Sequence, residues 1–246
     1  MPKQYDSWSS HLSFPPIVLI PGLLGSPRLY AEQIPALWQL APVTIASHRE
    51  GDSMATIAGQ ILASAPPRFT IIGLSMGGYL AFEIVRQAAS RVTGLALLDT
   101  TARPDTVEQT RRRREQIAQV QSGQLAEVTD ALFRRWVPAA RHTDQHLHRL
   151  VRQMAEETGP DAFVRQQTAI MNRLDSRPHL NAIDCPTLVI VGASDTQTTP
   201  EHAAEITHGI PGAKLVVVPD CGHLSTIEQP AVVTAALVTW LRQRHS

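Results

Sequence analysis

Cysteine is nearly absent from this chain of 246 residues, with Cys185 and Cys221 the only two. So low a count excludes a disulfide-built scaffold and fits a reducing compartment. An excess of either charge is absent too, because 22 basic and 22 acidic side chains cancel. The chain therefore lacks the field that draws proteins onto phosphate backbones or anionic lipid. Long hydrophobic runs are missing. The longest apolar stretches, Ile17–Leu24 and the one around Leu188–Val191, are far too short to span a bilayer, and Met1–Ser13 is polar with no apolar core of signal-peptide length. Charged residues make up only 18%, yet 43% of the chain is hydrophobic, which excludes a disordered or fibrous protein and suffices for a buried core. The expectation is a cytoplasmic globular protein, monomeric or homodimeric, with no nucleic-acid or membrane partner.

Short β-rich runs recur at Ile17–Ile20, Val43–Ala46, Phe69–Gly73, Val92–Leu98, Thr187–Gly192 and Lys214–Val218. Most are continuously apolar, the pattern of strands covered on both faces. Segments with helical spacing lie between them. One starts at Met76 with Leu80, Ile84, Val85 and Ala88 on one face, and another carries Val233, Ala236, Leu237, Trp240 and Leu241. Glu228-Gln229-Pro230 suits the start of the latter. Alternation of strands and helices predicts βαβ units and a doubly wound α/β fold, a mostly parallel sheet of about six strands with helices on both faces. From Arg103 to Pro178 the alternation stops, and helical segments rich in Arg, Gln and Glu carry a sparse apolar set. That length exceeds a simple crossover. It reads as a helical cap insertion (103–178) set into a core made of 1–102 and 179–246. The cap should sit over the sheet end where open α/β sheets bind ligands; the alternative is a stabilising embellishment.

Two features of this insertion invite other readings. Arg111–Arg114 resembles a nucleic-acid patch, but Glu108 and Glu115 flank it and no aromatic stacking platform accompanies it, so a solvated helix face is expected. His142 and His146 stand at i, i+4 spacing with His148 nearby, yet no cysteine or glutamate completes a zinc-protease pattern. Exposed histidines are expected there, and no metal site.

Chemistry concentrates in three places. Gly73-Leu74-Ser75-Met76-Gly77-Gly78 puts Gly-x-Ser-x-Gly directly after a strand and before a helix, the context of a nucleophile elbow. The sharp turn strains the backbone at Ser75, the glycines leave room for neighbouring backbone, and the helix N-terminus favours developing negative charge. A serine hydroxyl needs a base. His223, in the loop leaving Lys214–Val218, emerges at the same edge of a parallel sheet. The imidazole needs an orienting carboxylate: Asp195, just past Thr187–Gly192, fits the chain order, and Asp99, after Val92–Leu98, is the second candidate. A tetrahedral intermediate needs two N–H donors, assigned to Met76 and to Leu23 in the loop Pro21-Gly22-Leu23-Leu24-Gly25. The Leu23 and Met76 side chains can also line an apolar pocket. Further pocket candidates are Leu24, Leu224, Phe133 and Trp136; Phe133 and Trp136, like Phe163 and Met171, serve equally as the insertion's own core.

Taken together, the Gly-Leu-Ser75-Met-Gly-Gly elbow, the Gly-Ala-Ser-Asp195 turn and Gly-His223-Leu-Ser-Thr-Ile-Glu-Gln-Pro resemble the α/β-hydrolases of the single-domain, helical-cap kind, which include carboxylesterases, enol-lactone hydrolases and C–C bond hydrolases. The resemblance covers nearly the whole chain. It implies a serine hydrolase cleaving a small-molecule ester or lactone through an acyl-enzyme, with no metal or organic cofactor in the scheme. Thioester cleavage, C–C hydrolysis and haloperoxidase activity are open on the same residues, as is a slow-turnover or non-enzymatic ligand receptor. One departure stands out: many members have His-Gly in the oxyanion loop, where this chain has Pro21-Gly22, so the orienting bond from that histidine is expected to be missing. Topology also places Cys185 and Cys221 at opposite ends of neighbouring parallel strands, too far apart for a disulfide. Cys221, close to His223, is expected to react with thiol reagents and impair activity.

Overall fold

The computed structural model describes residues 14–243, so the polar N-terminal segment read above lies outside them. Six strands, β1 (Ile17–Ile20), β2 (Val43–Ile45), β3 (Phe69–Leu74), β4 (Val92–Leu98), β5 (Thr187–Gly192) and β6 (Lys214–Val218), form one sheet ordered β2-β1-β3-β4-β5-β6. Every pairing is parallel. The helices are α1 (Ile34–Trp38), α2 (Met54–Ser64), α3 (Met76–Ala88), α4 (Val107–Gln121), α5 (Leu125–Trp136), α6 (Gln145–Thr158), α7 (Pro160–Met171), α8 (Pro200–Gly209), α9 (Ser225–Glu228) and α10 (Pro230–Gln243). No helix among the described residues is long and apolar enough to cross a membrane.

Alternation along each strand sends side chains to two separate cores. Ile17 and Leu19 join Leu37 of α1 and Leu237 and Trp240 of α10 on one face. Val18 and Ile20 join Ile57 of α2, Leu80 of α3 and Ile206 of α8 on the other. Because helices cover both faces, the inner strands have no polar side to show, and their sequences run continuously apolar. The edge strand β6 departs from that reading: Leu215 and Val217 are 37% and 46% exposed, and only Val218 is buried. It has a single strand neighbour, β5, and weaker helical cover.

The chain leaves β1 for β2 on one side and returns to β3 on the other. The loops that follow β1 and β3 therefore flank the point where the winding reverses, the place where such sheets take ligands. Between β4 and β5 the chain builds α4–α7 and no strand among the described residues. Side-chain caps start two of these helices: Thr106 and Gln109 form a reciprocal capping box on α4, and Asp144 accepts from the His146 and Leu147 amides on α6. Within the group, α4 packs on α7 and α5 on α6.

These two environments set different mutational costs. Leu97→Ala, at a fully buried position in β4, should lower unfolding free energy by about 2–5 kcal/mol in urea titration. Val217→Ser on the half-exposed edge should cost under about 1 kcal/mol.

Candidate active site

Ser75 holds a backbone conformation that residues with a side chain rarely adopt, φ 54° and ψ −111°. Its surroundings over-determine it. The Ser75 amide donates to Leu98 O at 2.9 Å, and Ser75 O accepts from the Gly78 amide at 2.9 Å and from Thr100 Oγ1 at 2.8 Å. The flanking glycines are required by contact: a Cβ at Gly73 would stand 2.3 Å from Gly77 O, and one at Gly77 would stand 2.0 Å from Ile20 O. Strand, turn and helix can close this tightly only without those side chains. The hydroxyl is thereby presented at the N-terminus of α3.

Ser75 Oγ lies 2.9 Å from His223 Nε2, and His223 Nδ1 lies 2.8 Å from Asp195 Oδ2. With Asp195 ionised, Nδ1 carries the ring proton and Nε2 accepts from the serine. Asp195 is fixed in turn: Oδ1 accepts from the Gln197 and Thr198 amides at 2.7 and 3.1 Å, and Oδ2 from Thr198 Oγ1 at 2.7 Å. Burial alone would lower the His223 pKa. The charge and hydrogen bond of Asp195, with Asp99 and Glu228 nearby, overturn that and hold it above the ordinary histidine value. Burial likewise raises Asp195, but the His223 charge and hydrogen bond and the Thr198 bonds win, and its pKa is lowered.

The second carboxylate candidate, Asp99, emerges at the same edge but does not touch the imidazole. Its oxygens accept from the Gly192 and Ser225 amides at 2.9 and 3.2 Å, which ties the β5 end to the loop after His223. Burial first, then the charge of Asp195, pushes its carboxyl up to about 8. Glu228, which no motif singled out as a site residue, is buried beneath the same loop and accepts from the Gly222 and Leu224 amides at 3.0 and 2.9 Å. From above, Trp136 O at the end of α5 accepts from the His223 amide at 2.7 Å, and the Trp136 ring stacks near the imidazole with centroids 6.4 Å apart. The insertion thus holds the histidine loop directly.

The loop after β1 brings the Leu23 amide to the same pocket as Ser75. Met76 is the first residue of α3, so its amide has no partner within the helix. A histidine from elsewhere in the chain supports this loop. His48, after β2, is fully buried and places Nε2 2.8 Å from Gly22 O. A carbonyl only accepts, so Nε2 bears the proton. Gln166 of α7 completes the support, its Oε1 accepting from the Leu24 amide at 3.0 Å and its Nε2 donating to His48 O at 3.4 Å. Sequence offered no signal for either residue, since only the fold brings them to a loop more than twenty positions away.

A cavity of about 170 Å³ opens over Ser75 and His223 between the sheet edge and the insertion. Leu23, Leu24, Trp136 and Leu224 line it. Phe133 does not. On α5, Leu132 and Trp136 face the cavity one turn apart, and Phe133, rotated by one residue, packs into the insertion with its ring 4.8 Å from that of His148. The side chain of Met76 is also absent from the wall, being buried in the core on the α2–α3 face of the sheet. The Arg111–Arg114 run is not one solvated face: Arg111 pairs outward with Glu108 and Glu115, whereas Arg112 and Arg113 line the cavity. Consecutive residues step by 100° around a helix, so four of them cannot share a side. Of the three histidines, His142 Nε2 meets Arg134 O at 2.8 Å and His148 Nε2 meets Asp130 at 2.7 Å. No disulfide joins Cys185 and Cys221. Cys221 is fully buried and burial raises its thiol pKa, which removes both the access and the thiolate that the expected reactivity required.

A strained serine on a strand–turn–helix, hydrogen-bonded to an imidazole that a carboxylate holds from its other side, at the carboxyl edge of a parallel sheet, defines a class. The chain belongs to the Alpha/beta hydrolase family, whose model matches residues 17–236. Among solved structures it is similar to a thermophilic esterase from Thermogutta terrifontis, with 28% identity, a TM-score of 0.84, and 94% of this chain and 91% of that one covered. It is also similar to the enol-lactonase from Burkholderia xenovorans LB400, with 26% identity, a TM-score of 0.85, and 95% and 93% covered. A curated relative, the pimeloyl-acyl-carrier-protein methyl ester esterase of Nitrosomonas europaea, is 26% identical over 191 residues, 73% of each chain.

Burial lowers the His48 pKa from 6.5 to about 4. The unfolded chain takes up this proton near pH 6.5 and the folded one only near 4, so His48 removes stability as pH falls through that window. His48→Gln keeps a donor for Gly22 O and has no proton to gain. Urea midpoints measured between pH 6.5 and about 4 should fall less steeply in this variant than in the wild type.

Proposed function

We propose that this protein is a serine hydrolase that cleaves a carboxylic ester or lactone through an acyl-enzyme, with Ser75, His223 and Asp195 as its catalytic triad. The observation that carries the reading is the unbroken bond path from Ser75 Oγ through the imidazole to Asp195, at 2.9 and 2.8 Å, at the floor of a cavity. The similarity to proteins named as esterases and as an enol-lactonase supports it. Helices α4–α7 act as the cap.

Ser75 Oγ attacks the substrate carbonyl carbon while His223 Nε2 takes the hydroxyl proton. The carbonyl π pair moves onto oxygen, and the resulting oxyanion accepts from the Leu23 and Met76 amides. Asp195 stabilises the imidazolium by accepting from Nδ1–H. Collapse of the tetrahedral intermediate breaks the bond to the alcohol oxygen, which leaves with the proton from Nε2. Water then attacks the acyl carbon and loses a proton to His223. The second collapse releases the acid and returns the proton to Ser75. Backbone donors of this kind belong to the main chain, so they can act without side-chain rearrangement as charge develops.

Short p-nitrophenyl esters test the scheme. Ser75→Ala should lower kcat/KM by about 10⁴-fold or more, and Asp195→Asn by about 10³–10⁴-fold. Asp99→Asn should cost much less. Turnover surviving Ser75→Ala would remove this mechanism. A general base works unprotonated, so activity is lost as pH falls through the folded His223 pKa, which lies above 6.5. The acid limb of kcat/KM should accordingly stand above 6.5. In Asp195→Asn, burial persists while the raising charge is gone, so the residual activity should have its limb at lower pH.

A further inference from the structure

The cavity wall carries five arginines, Arg103, Arg112, Arg113, Arg135 and Arg173, and neither an aspartate nor a glutamate. They come from four separate places: the stretch after β4, α4, α5 and the stretch after α7. Three carboxylates serve four of them. Asp105, almost wholly buried, holds Arg113 at 2.7 Å and also Arg173. Glu205 holds Arg103 at 2.9 Å and lies 3.9 Å from Arg177 outside the cavity. Glu108 lies 3.5 Å from Arg112 and is closer, at 2.8 Å, to the outward-facing Arg111. Among the described residues Arg135 has no carboxylate partner: its guanidinium donates to the neutral Gln197 Oε1 at 2.9 Å. Burial, followed by repulsion from Arg112 and Arg113, depresses its pKa, as expected of a cation placed among cations. Guanidinium groups stay charged in proteins, so the side chains that line this cavity carry positive charge, and among the described residues Arg135 is left without a carboxylate partner. The remaining wall is mixed: Leu24, Leu132, Met154 and Leu224 form apolar parts of it, and Gln109, Gln116 and His202 are among its polar residues.

We propose that the substrate carries an oxyanion, a carboxylate or a phosphate, separated from its scissile ester or lactone by an apolar segment, and that Arg135 and Arg112 bind it. This rests on the hydrolase reading above. Arg113 and Arg173 are held by Asp105, and Arg173 is further fixed over the Tyr79 ring at 4.4 Å, so they set the positive field. Arg135 and Arg112, less fully engaged, have donors to give. A planar guanidinium offers a carboxylate or phosphate paired, charge-assisted N–H bonds.

The test compares mono-p-nitrophenyl glutarate with p-nitrophenyl 5-methylhexanoate, a neutral ester of matching shape. At low salt the glutarate ester should show kcat/KM higher by about tenfold or more, carried by KM, as charge-assisted bonds imply. Added salt should shrink the ratio. Arg135→Gln and Arg112→Gln should each cut it, and the double variant should bring it close to one. Equal or better turnover of the neutral ester by the wild type overturns the proposal, and so does a ratio that survives in the double variant.

A calorimetric arm separates this outcome from failure of the hydrolase reading. The Ser75→Ala protein should bind glutarate or inorganic phosphate, with binding lost on adding Arg135→Gln. Glutarate alone assigns a carboxylate and phosphate alone a phosphate, while binding of neither overturns the anion site. Absence of turnover together with intact anion binding counts against Ser75 chemistry and leaves the anion site standing.

Discussion

The bond between Ser75 Oγ and His223 Nε2 joins residues 148 positions apart, and it exists because every strand of the sheet points the same way. Parallel β3, β5 and β6 deliver Ser75, Asp195 and His223 to one edge, each in the first few residues past its strand. Nothing else in the site works without that alignment. Reversing a single strand would carry its loop to the far edge, a strand length away. The glycines around Ser75 serve the same end at shorter range. With side chains at 73 and 77 the elbow could not close against Ile20 and the start of α3, and the hydroxyl would lose its direction.

Three carboxyl groups, Asp99, Asp195 and Glu228, are buried around one imidazole. Such crowding is costly unless each oxygen is occupied. The structure answers with backbone amides: Asp99 takes two, Glu228 takes two, and Asp195 takes two along with Thr198 Oγ1 and the imidazole. Division of labour follows from contact. Asp195 faces Nδ1, whereas Asp99 and Glu228 hold the loop that carries the ring. The electrostatic result is a histidine whose affinity for protons is raised in spite of burial.

The insertion does more than cover the cavity. Trp136 O anchors the His223 amide, and Gln166 supports the loop that carries the Leu23 amide, so both halves of the site are braced by helices that lie between β4 and β5. Helices α4 and α5 supply three of the five arginines in the wall. Placement of the His223 loop and the charge character of the cavity wall therefore meet in α5, and a change there bears on both.

Much of this was legible in the chain itself. Short β-rich runs marked the six strands, and most are continuously apolar because an inner strand covered on both faces has no polar alternation to show. Gly-x-Ser-x-Gly marked Ser75, because only glycine tolerates such close backbone contacts. Chain order placed Asp195 and His223 at the carboxyl edge, because parallel strands end together. Helical side chains were less readable. Apolar spacing grouped Phe133 with Trp136, but a rotation of one residue turns the first into the insertion's core and leaves the second on the cavity, and only packing fixes that rotation. The arginine run likewise reads as solvated until α4 is laid against its neighbours and part of it turns inward. His48 and Gln166 belong wholly to the tertiary structure. Their partners are main-chain N–H and C=O groups, which every residue possesses and which leave no trace in sequence.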